Sequence, residues 1–191
     1  MQNVLIISGH PNLQESIGNA TILSKVAKAL PEAEIRYLDA LYPDYQINVA
    51  QEQKALLKAD VIVWQFPFSW YSVPGLMKLW IDRVFVHGFA HGSTAKLVGK
   101  KLIISFTAGA PESLYSPDGM FGHDIQHYMA QFKTTALLCN LAFEDPVYTL
   151  GISYSGRDEA KIREQKSMAE AHAARLITAI NATAAVSEMA V

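Results

Sequence analysis

Ala59-Asp-Val-Ile-Val-Trp-Gln-Phe-Pro-Phe-Ser-Trp-Tyr-Ser-Val-Pro-Gly-Leu-Met-Lys-Leu-Trp-Ile-Asp-Arg-Val-Phe85 changes its hydrophobic period part-way along. The apolar run from Val61 to Trp64 is rich in β-branched and aromatic residues and fits a strand buried on both faces, as in a parallel sheet. It stops at Pro67, which has no N–H to give to a ladder. From Val73 the spacing becomes helical through Leu76, Met77, Leu79, Trp80, Val84 and Phe85, with Pro74 suited to a first turn. Between them Phe66-Pro-Phe-Ser-Trp-Tyr-Ser72 is aromatic and carries no charge. Surface loops are normally polar, so this one covers either a flat apolar ligand or an apolar surface of the chain or a partner.

Outward from that stretch, buried strands are expected at 4–8, 34–38, 101–106 and 142–150, and helices at 16–30, 51–58, 124–138 and 157–180. Strands alternating with helices through short connections give an α/β domain with one doubly wound, five-stranded parallel sheet. No linker or repeat divides it, so 1–180 reads as a single domain. The alanine-rich stretch 181–191 reads as a frayed tail.

A chain of 191 residues, half of them apolar and under a fifth charged, can bury a substantial core. Sixteen basic against eighteen acidic residues give no global field for nucleic acid or lipid. The single cysteine, Cys139, lies in an apolar run and reads as a buried thiol. Met1-Gln-Asn does not resemble a signal peptide, and no apolar run approaches the roughly 20 residues that cross a bilayer. A cytoplasmic location is the expectation. His87 and His91, like His123 and His127, are four apart, but Gly88 and Gly92 argue against a helix at the first pair and no third ligand is placed nearby; no metal site is expected.

Right-handed crossovers put every strand's carboxyl end on one sheet edge. Three unusual loops, 9–19, 66–72 and 107–115, therefore converge where open α/β sheets bind ligands. Ser16 and Asn19 around Gly18 at a helix start can form an anion site or a plain cap. Neither Gly-x-x-x-x-Gly-Lys-Ser/Thr nor Gly-x-Gly-x-x-Gly is present, which favours a terminal phosphate held without lysine. Trp70 and Tyr71 offer planar walls, and Gly109 permits close backbone approach. A phosphate at one end and a flat heteroaromatic ring at the other describe flavin mononucleotide (FMN).

The stretch Gln65–Phe85, with Gly9-His-Pro, Ser16-x-x-Asn19, Ser105-Phe-Thr-Ala-Gly-Ala110 and Leu114-Tyr-Ser116, resembles the flavodoxin-like NAD(P)H:quinone oxidoreductases of the DT-diaphorase family. Leu41-Tyr-Pro-Asp44, 50–56, Trp70-Tyr-Ser72 and Leu79-Trp-Ile-Asp82 are similar to the branch formed by ancillary subunits of glutathione-regulated potassium-efflux systems. The resemblance covers residues 4–150 by motif. It implies strand order 2-1-3-4-5 in three α/β/α layers. It places His10, Ser16, Ile17, Gly18, Asn19 and Ala20 at the phosphate end, Pro67, Phe68, Trp70 and Tyr71 on one side of the ring, and Thr107, Ala108, Gly109, Ala110 and Tyr115 on the other. The family usually has two glycines where Gly109-Ala110 stands here, so the turn must accept a Cβ. Its usual histidine falls at Phe121, with His123 two residues on.

By the same resemblance, hydride passes from NAD(P)H through the flavin to a quinone by two-electron, ping-pong transfer. Backbone N–H groups of the 108–110 turn, Tyr115 and His123 serve as stabilising donors. FMN is favoured over FAD because FAD-holding relatives run longer at the C-terminus. A homodimer with sites at its interface is implied, with His91 near the neighbouring site or on a surface loop. Regulation of a membrane potassium-efflux transporter, docked peripherally at the inner membrane, is the alternative role. A one-electron carrier fits less well, since carriers are typically strongly acidic and this chain has a net charge of −2.

Overall fold

The structure, a computed structural model, describes residues 2–188. Its strands are β1 (Val4–Ser8), β2 (Glu34–Tyr37), β3 (Val61–Pro67), β4 (Lys101–Thr107), β5 (Ala142–Phe143) and β6 (Val147–Thr149). Its helices are α1 (Gly18–Ala29), the single turn α2 (Leu38–Leu41), α3 (Val49–Lys58), α4 (Gly75–Val84), α5 (Ala130–Leu138) and α6 (Glu159–Glu188). The sheet runs β2-β1-β3-β4-β5, with β6 also paired to β4 and every pairing parallel. The fifth rank is therefore two short strands rather than one. Pro146 lies in the interruption, where a residue without an N–H cannot continue the ladder.

Alternation along β3 divides the core. Ile62, Trp64 and Phe66 face Leu56, Leu76, Met77, Trp80 and Phe132 on one side. Val61 and Val63 face Ile22, Leu23 and Val26 of α1 and Ala169, Ala173, Leu176 and Ile180 of α6 on the other. Both sides of the central strands are covered, which is why their sequences read as unbroken apolar runs. Trp64 meets Trp80 edge to face at 6.5 Å, and each buries its ring completely or nearly so. Burial of such a side chain contributes about 1.5–3 kcal/mol.

Two helices differ from their expected extents. The segment 124–138 begins as a 3-10 helix at Ile125–Met129, capped by Asp124 accepting from the His127 N–H at 3.0 Å, and becomes α-helical only at Ala130. The last helix continues past Ile180 to Glu188, because alanine-rich sequence costs little to hold helical; residues 189–191 of the expected tail lie outside the described residues. Cys139 is buried and free, its thiol pushed up by desolvation.

On the side of the sheet away from α1 and α6, a fully buried carboxylate ties four elements together. Glu52 of α3 accepts from Arg36 of β2 through Nε at 3.1 Å and through Nη2, from the Tyr42 hydroxyl, and from Trp80 Nε1 of α4 at 2.8 Å. Burial and the hydrogen bond to Glu52 push the Tyr42 hydroxyl up to about 12, so it stays a donor. Removing one partner of such a buried pair leaves an uncompensated charge and costs about 3–5 kcal/mol. Glu52→Gln is accordingly expected to lower the unfolding free energy by about 3 kcal/mol in urea titration. An unchanged midpoint would show that the carboxylate does not hold these elements together.

Candidate functional site

Four chain segments at the carboxyl edge enclose a cleft of about 210 Å³ lined by His10, Glu15, Ser16, Gly18, Asn19, Pro67, Thr107, Ile152, Tyr154 and Arg157. The loop after β1 supplies the first of these. The Asn12 N–H donates to His10 Nδ1 at 3.1 Å, so the neutral ring carries its proton on Nε2. Desolvation lowers the His10 pKa against the opposing pull of Asp39 and Glu15. Asp39 Oδ2 accepts from the Leu13 N–H at 2.7 Å and ties this loop to α2.

Ser16 Oγ accepts from the Asn19 N–H at 3.0 Å, which caps α1 and leaves the hydroxyl hydrogen free to point elsewhere. The first-turn N–H groups of a helix lack intrahelical partners, and those of α1 open at this end. A Cβ on Gly18 would stand 3.0 Å from Ile152 Cγ2 and 3.6 Å from Thr107 Cγ2, so glycine is what leaves this cradle open.

The loop after β3 folds back as a two-residue hairpin. Ser69 and Ser72 exchange both backbone hydrogen bonds at 3.0 Å, and Trp70 and Tyr71 between them have φ of 48° and 63°. That is the left-handed geometry of a type I′ turn. Trp70 is 93% exposed, whereas the Tyr71 ring stacks on Tyr128 at 5.4 Å and meets Phe121 edge-on at 5.5 Å. Tyr115 joins the same cluster, 5.0 Å from Phe121 and 5.9 Å from Tyr128 between ring centroids. Tyr71 and Tyr115, expected on opposite sides of a ring, are thus two members of one aromatic wall. Burial raises the Tyr115 pKa and keeps its hydroxyl a proton donor.

The loop after β4 differs from expectation in one respect. The Ala108 N–H donates to Thr149 O at 3.0 Å, so it is not free for a ligand; the Gly109 and Ala110 N–H groups alone can serve that role in the 108–110 turn. Gly109 does not have a positive φ, and a Cβ there would meet nothing nearer than 3.6 Å. Ala110 likewise has an ordinary φ, so the turn accepts the Cβ that the second glycine of the family would lack.

Beneath the cleft lies a polar rung across the sheet. Ser8 pairs with Gln65 and Gln65 with Ser105 in the parallel register, and all three are completely buried. Gln65 donates to Asn19 Oδ1 at 2.8 Å and accepts from Ser105 Oγ at 2.6 Å. Ser105 Oγ also lies 2.8 Å from Nε2 of His172, a fully buried residue of α6. Desolvation, assisted by Arg175, depresses the His172 pKa to about 3. Ser8 Oγ has no hydrogen-bond partner among the described residues.

The cleft gathers His10, Ser16, Gly18, Asn19, Pro67 and Thr107 from the expected set, while Ile17 and Ala20 flank them at the start of α1. Phe68, Trp70, Tyr71, Ala108, Gly109, Ala110 and Tyr115 occupy the adjoining loops but do not line it. His123 is exposed and stacks on His127 at 4.1 Å, with His127 rather than His123 against the Tyr128 ring. His91 packs edge-on to His87 at 5.4 Å. Glu15, Ile152, Tyr154 and Arg157 were not expected. Arg157, expected at the start of the last helix, lies just before it, and its Nε donates to Ser153 O at 3.1 Å and to Gln165 Oε1 at 3.0 Å at the cleft rim. Glu15 lies within the expected loop 9–19; for the other three the signal was position, since the chain from 151 to 157 also leaves the carboxyl end of a strand.

A family model described as flavodoxin-like fold matches residues 2–173. The chain belongs to that family. Among solved structures, general stress protein 14 of Treponema denticola, in complex with FMN, is 32% identical over 92% of this chain and 98% of that one, with a TM-score of 0.83. A protein described as a thermophilic tryptophan halogenase of Streptomycin violaceusniger is 31% identical, with coverage of 88% and 97% and a TM-score of 0.78. An NADPH-quinone reductase of P. pentosaceus shares the fold at 24% identity, coverage of 91% and 96%, and a TM-score of 0.71. Names of such different chemistry on one flavodoxin-like fold mean that the reaction must be argued from the site.

The polar rung has a consequence for stability. Folded His172 refuses a proton that the unfolded chain takes up at its ordinary value of 6.5. Stability from this residue is therefore complete above pH 6.5 and declines as pH falls from there toward about 3. Unfolding free energy at pH 4.5 is expected to lie about 2–3 kcal/mol below that at pH 7.5, and His172→Gln should remove most of this difference. Denaturant titrations of both proteins at the two pH values test it. Equal pH dependence would mean that His172 is protonated in the folded protein.

Proposed function

We propose that this protein is an FMN-dependent NAD(P)H oxidoreductase whose acceptors are quinones, reduced by two-electron, ping-pong transfer. The observation that carries this reading is the cleft itself: uncharged donors and a helix start at one end, and an aromatic wall on the adjoining loops. Bound FMN would supply a ring that accepts and donates hydride. The residues present fit that group. His10 Nε2–H, the Ser16 hydroxyl and the first-turn N–H groups of α1 other than that of Asn19 would bind the phosphate, with Gly18 leaving room for it and Arg157 at the rim adding a cation. The one carboxylate lining the cleft, Glu15, is balanced by Arg157.

Phe68, Tyr71, Phe121 and Tyr128 would exclude water from one end of the ring's binding space. The Gly109 and Ala110 N–H groups and the protonated Tyr115 hydroxyl would act as neutral donors toward developing negative charge, each such donor worth roughly 2.7–4 kcal/mol. The exposed side chains of Trp70 and Met120 beside the aromatic wall support a homodimer in which a second copy covers the open side.

A second reading, service as the ancillary subunit of a potassium-efflux transporter, rests on the four segments quoted above for that branch. Tyr42, Glu52 and Trp80 within those segments meet in the buried clamp, so part of that likeness is packing. Capture by the transporter's soluble domain would support this role. Among the described residues no helix is long and apolar enough to cross a membrane.

Purified protein is expected to be yellow, to release a chromophore with the mass of FMN on heating, and to oxidise NAD(P)H only when a quinone is supplied. Colourless protein that takes up no FMN would overturn the reading. Tyr115→Phe is expected to keep FMN bound while slowing its reduction by NAD(P)H at least about tenfold in stopped-flow measurement. An unchanged rate would remove Tyr115 from the reaction.

A further inference from the structure

The hydrogen bonds around His172 extend in both directions beyond the rung. At the surface, Arg175 Nη2 donates to Thr149 Oγ1 at 2.8 Å and to Tyr148 O at 2.8 Å. Thr149 Oγ1 lies 2.9 Å from His172 Nδ1, and His172 Nε2 lies 2.8 Å from Ser105 Oγ. Ser105, Gln65 and Asn19 follow, and Asn19 Nδ2 ends the series on Thr107 Oγ1 at 3.0 Å.

The direction of these bonds follows from donor and acceptor inventory. Gln65 Oε1 can only accept, so Ser105 gives it its single hydrogen and must itself accept from His172 Nε2; Nδ1 of the neutral ring then accepts from the Thr149 hydroxyl, whose oxygen takes the Arg175 N–H. The Gln65 amide then donates to Asn19 Oδ1, and the Asn19 amide to Thr107. Thr107 Oγ1 is an acceptor in this chain, and its own hydrogen remains to be given to something in the cleft it lines.

We propose that Arg175, Thr149, His172, Ser105, Gln65 and Asn19 form one directional hydrogen-bond chain that obliges the Thr107 hydroxyl to donate into the cleft, selecting a ligand with an acceptor atom there. This rests on the reading of the cleft as an FMN site, with an acceptor atom of FMN as the recipient. Thr107 touches the ligand; the other members are positioning residues. A threonine hydroxyl that could equally donate or accept would discriminate poorly. One that already accepts from Asn19 and still has its single hydrogen to give favours an acceptor at that point, because a buried donor left unpaired is costly.

Two measurements test the proposal on the full chain. Nitrogen-15 NMR of the imidazole is expected to show His172 with Nε2 protonated and Nδ1 bare, unchanged from pH 5 to 8; a ring protonated on Nδ1 would reverse the chain and overturn it. The second is a double-mutant cycle on FMN affinity by fluorescence quenching. Thr107→Val is expected to weaken FMN binding about tenfold and His172→Leu about fivefold, the loss of a net hydrogen bond in each case. His172→Gln, which restores an N–H toward Ser105, is expected to bind within about twofold of the unsubstituted protein. In the Thr107→Val background His172→Leu should change affinity less than about twofold, since its only route to the ligand is gone.

Additive effects would show that His172 acts through packing and would overturn the proposal. If His172→Leu does not fold, the NMR measurement and the Gln variant still decide it. Failure of the unsubstituted protein to bind FMN would overturn the function proposed above and the ligand half of this inference. An Nδ1-protonated ring would overturn the chain even in a protein that binds FMN well.

Discussion

Three polar side chains in the middle of a sheet impose the requirement around which the rest of this structure is arranged. Ser8, Gln65 and Ser105 lie side by side on the rung where the central strands approach the cleft. Burying such groups without partners costs several kilocalories per mole, so the elements packed on that face must bring donors and acceptors to them. Asn19 at the start of α1 and His172 in α6 do so for Gln65 and Ser105, while Ser8 Oγ has no partner among the described residues. Closer to the amino ends of the strands the same face is wholly apolar, with Ile6, Val61, Val63 and Ile103 against Leu23, Val26, Leu176 and Ile180. Each helix thus packs by apolar contact along most of its length and is pinned in register by hydrogen bonds at one end. That end is where the ligand loops begin.

The opposite face is pinned differently. There the Glu52 carboxylate gathers Arg36, Tyr42 and Trp80 from β2, the segment after α2, and α4. A buried carboxylate with donors on both oxygens fixes relative positions more sharply than apolar contact does, since each donor accepts only a narrow range of distance and angle. The aromatic loop after β3 leads directly into α4, so the position of α4 sets where that loop returns to the body of the protein. The two pinned points, one on each side of the sheet, hold the loops that enclose the cleft.

The fold was legible because both faces of the central strands are covered, and that burial writes uninterrupted apolar runs into the sequence. The fifth rank was misread as one strand because Pro146 interrupts an otherwise continuous β pattern. Legibility of the site was partial. Loops 9–19, 66–72 and 107–115 stood out by composition, but 151–156, with Ile152 and Tyr154, reads as an ordinary polar loop and reaches the cleft only through the carboxyl-edge geometry. The polar rung did leave a mark: the runs Val4-Leu-Ile-Ile, Val61-Ile-Val-Trp and Leu102-Ile-Ile each end in a polar residue, Ser8, Gln65 and Ser105. Register, which aligns those three residues, is a tertiary fact. His172, 67 positions from its partner Ser105, could not be paired with it from spacing alone.

The turn at Trp70 and Tyr71 shows where this protein accepts strain. Left-handed backbone costs about 1–2 kcal/mol for an ordinary residue, and Asn-Gly would form the same type I′ hairpin without that cost. The turn is nevertheless held from outside. Gln131 Nε2 donates to Tyr71 O at 3.1 Å, and the Ser72 hydroxyl donates to Gln131 Oε1 at 3.0 Å. Tyr71 is packed against Tyr128 and Phe121, whereas Trp70 projects into solvent. The supports act on Tyr71 and Ser72, and their effect is to fix a large exposed indole at the edge of the aromatic wall. A flexible loop would bury that indole against the nearest apolar surface. A strained two-residue hairpin, clamped to α5 by Gln131, cannot, so an aromatic plane stays exposed on the loop beside the cleft at the expense of local stability.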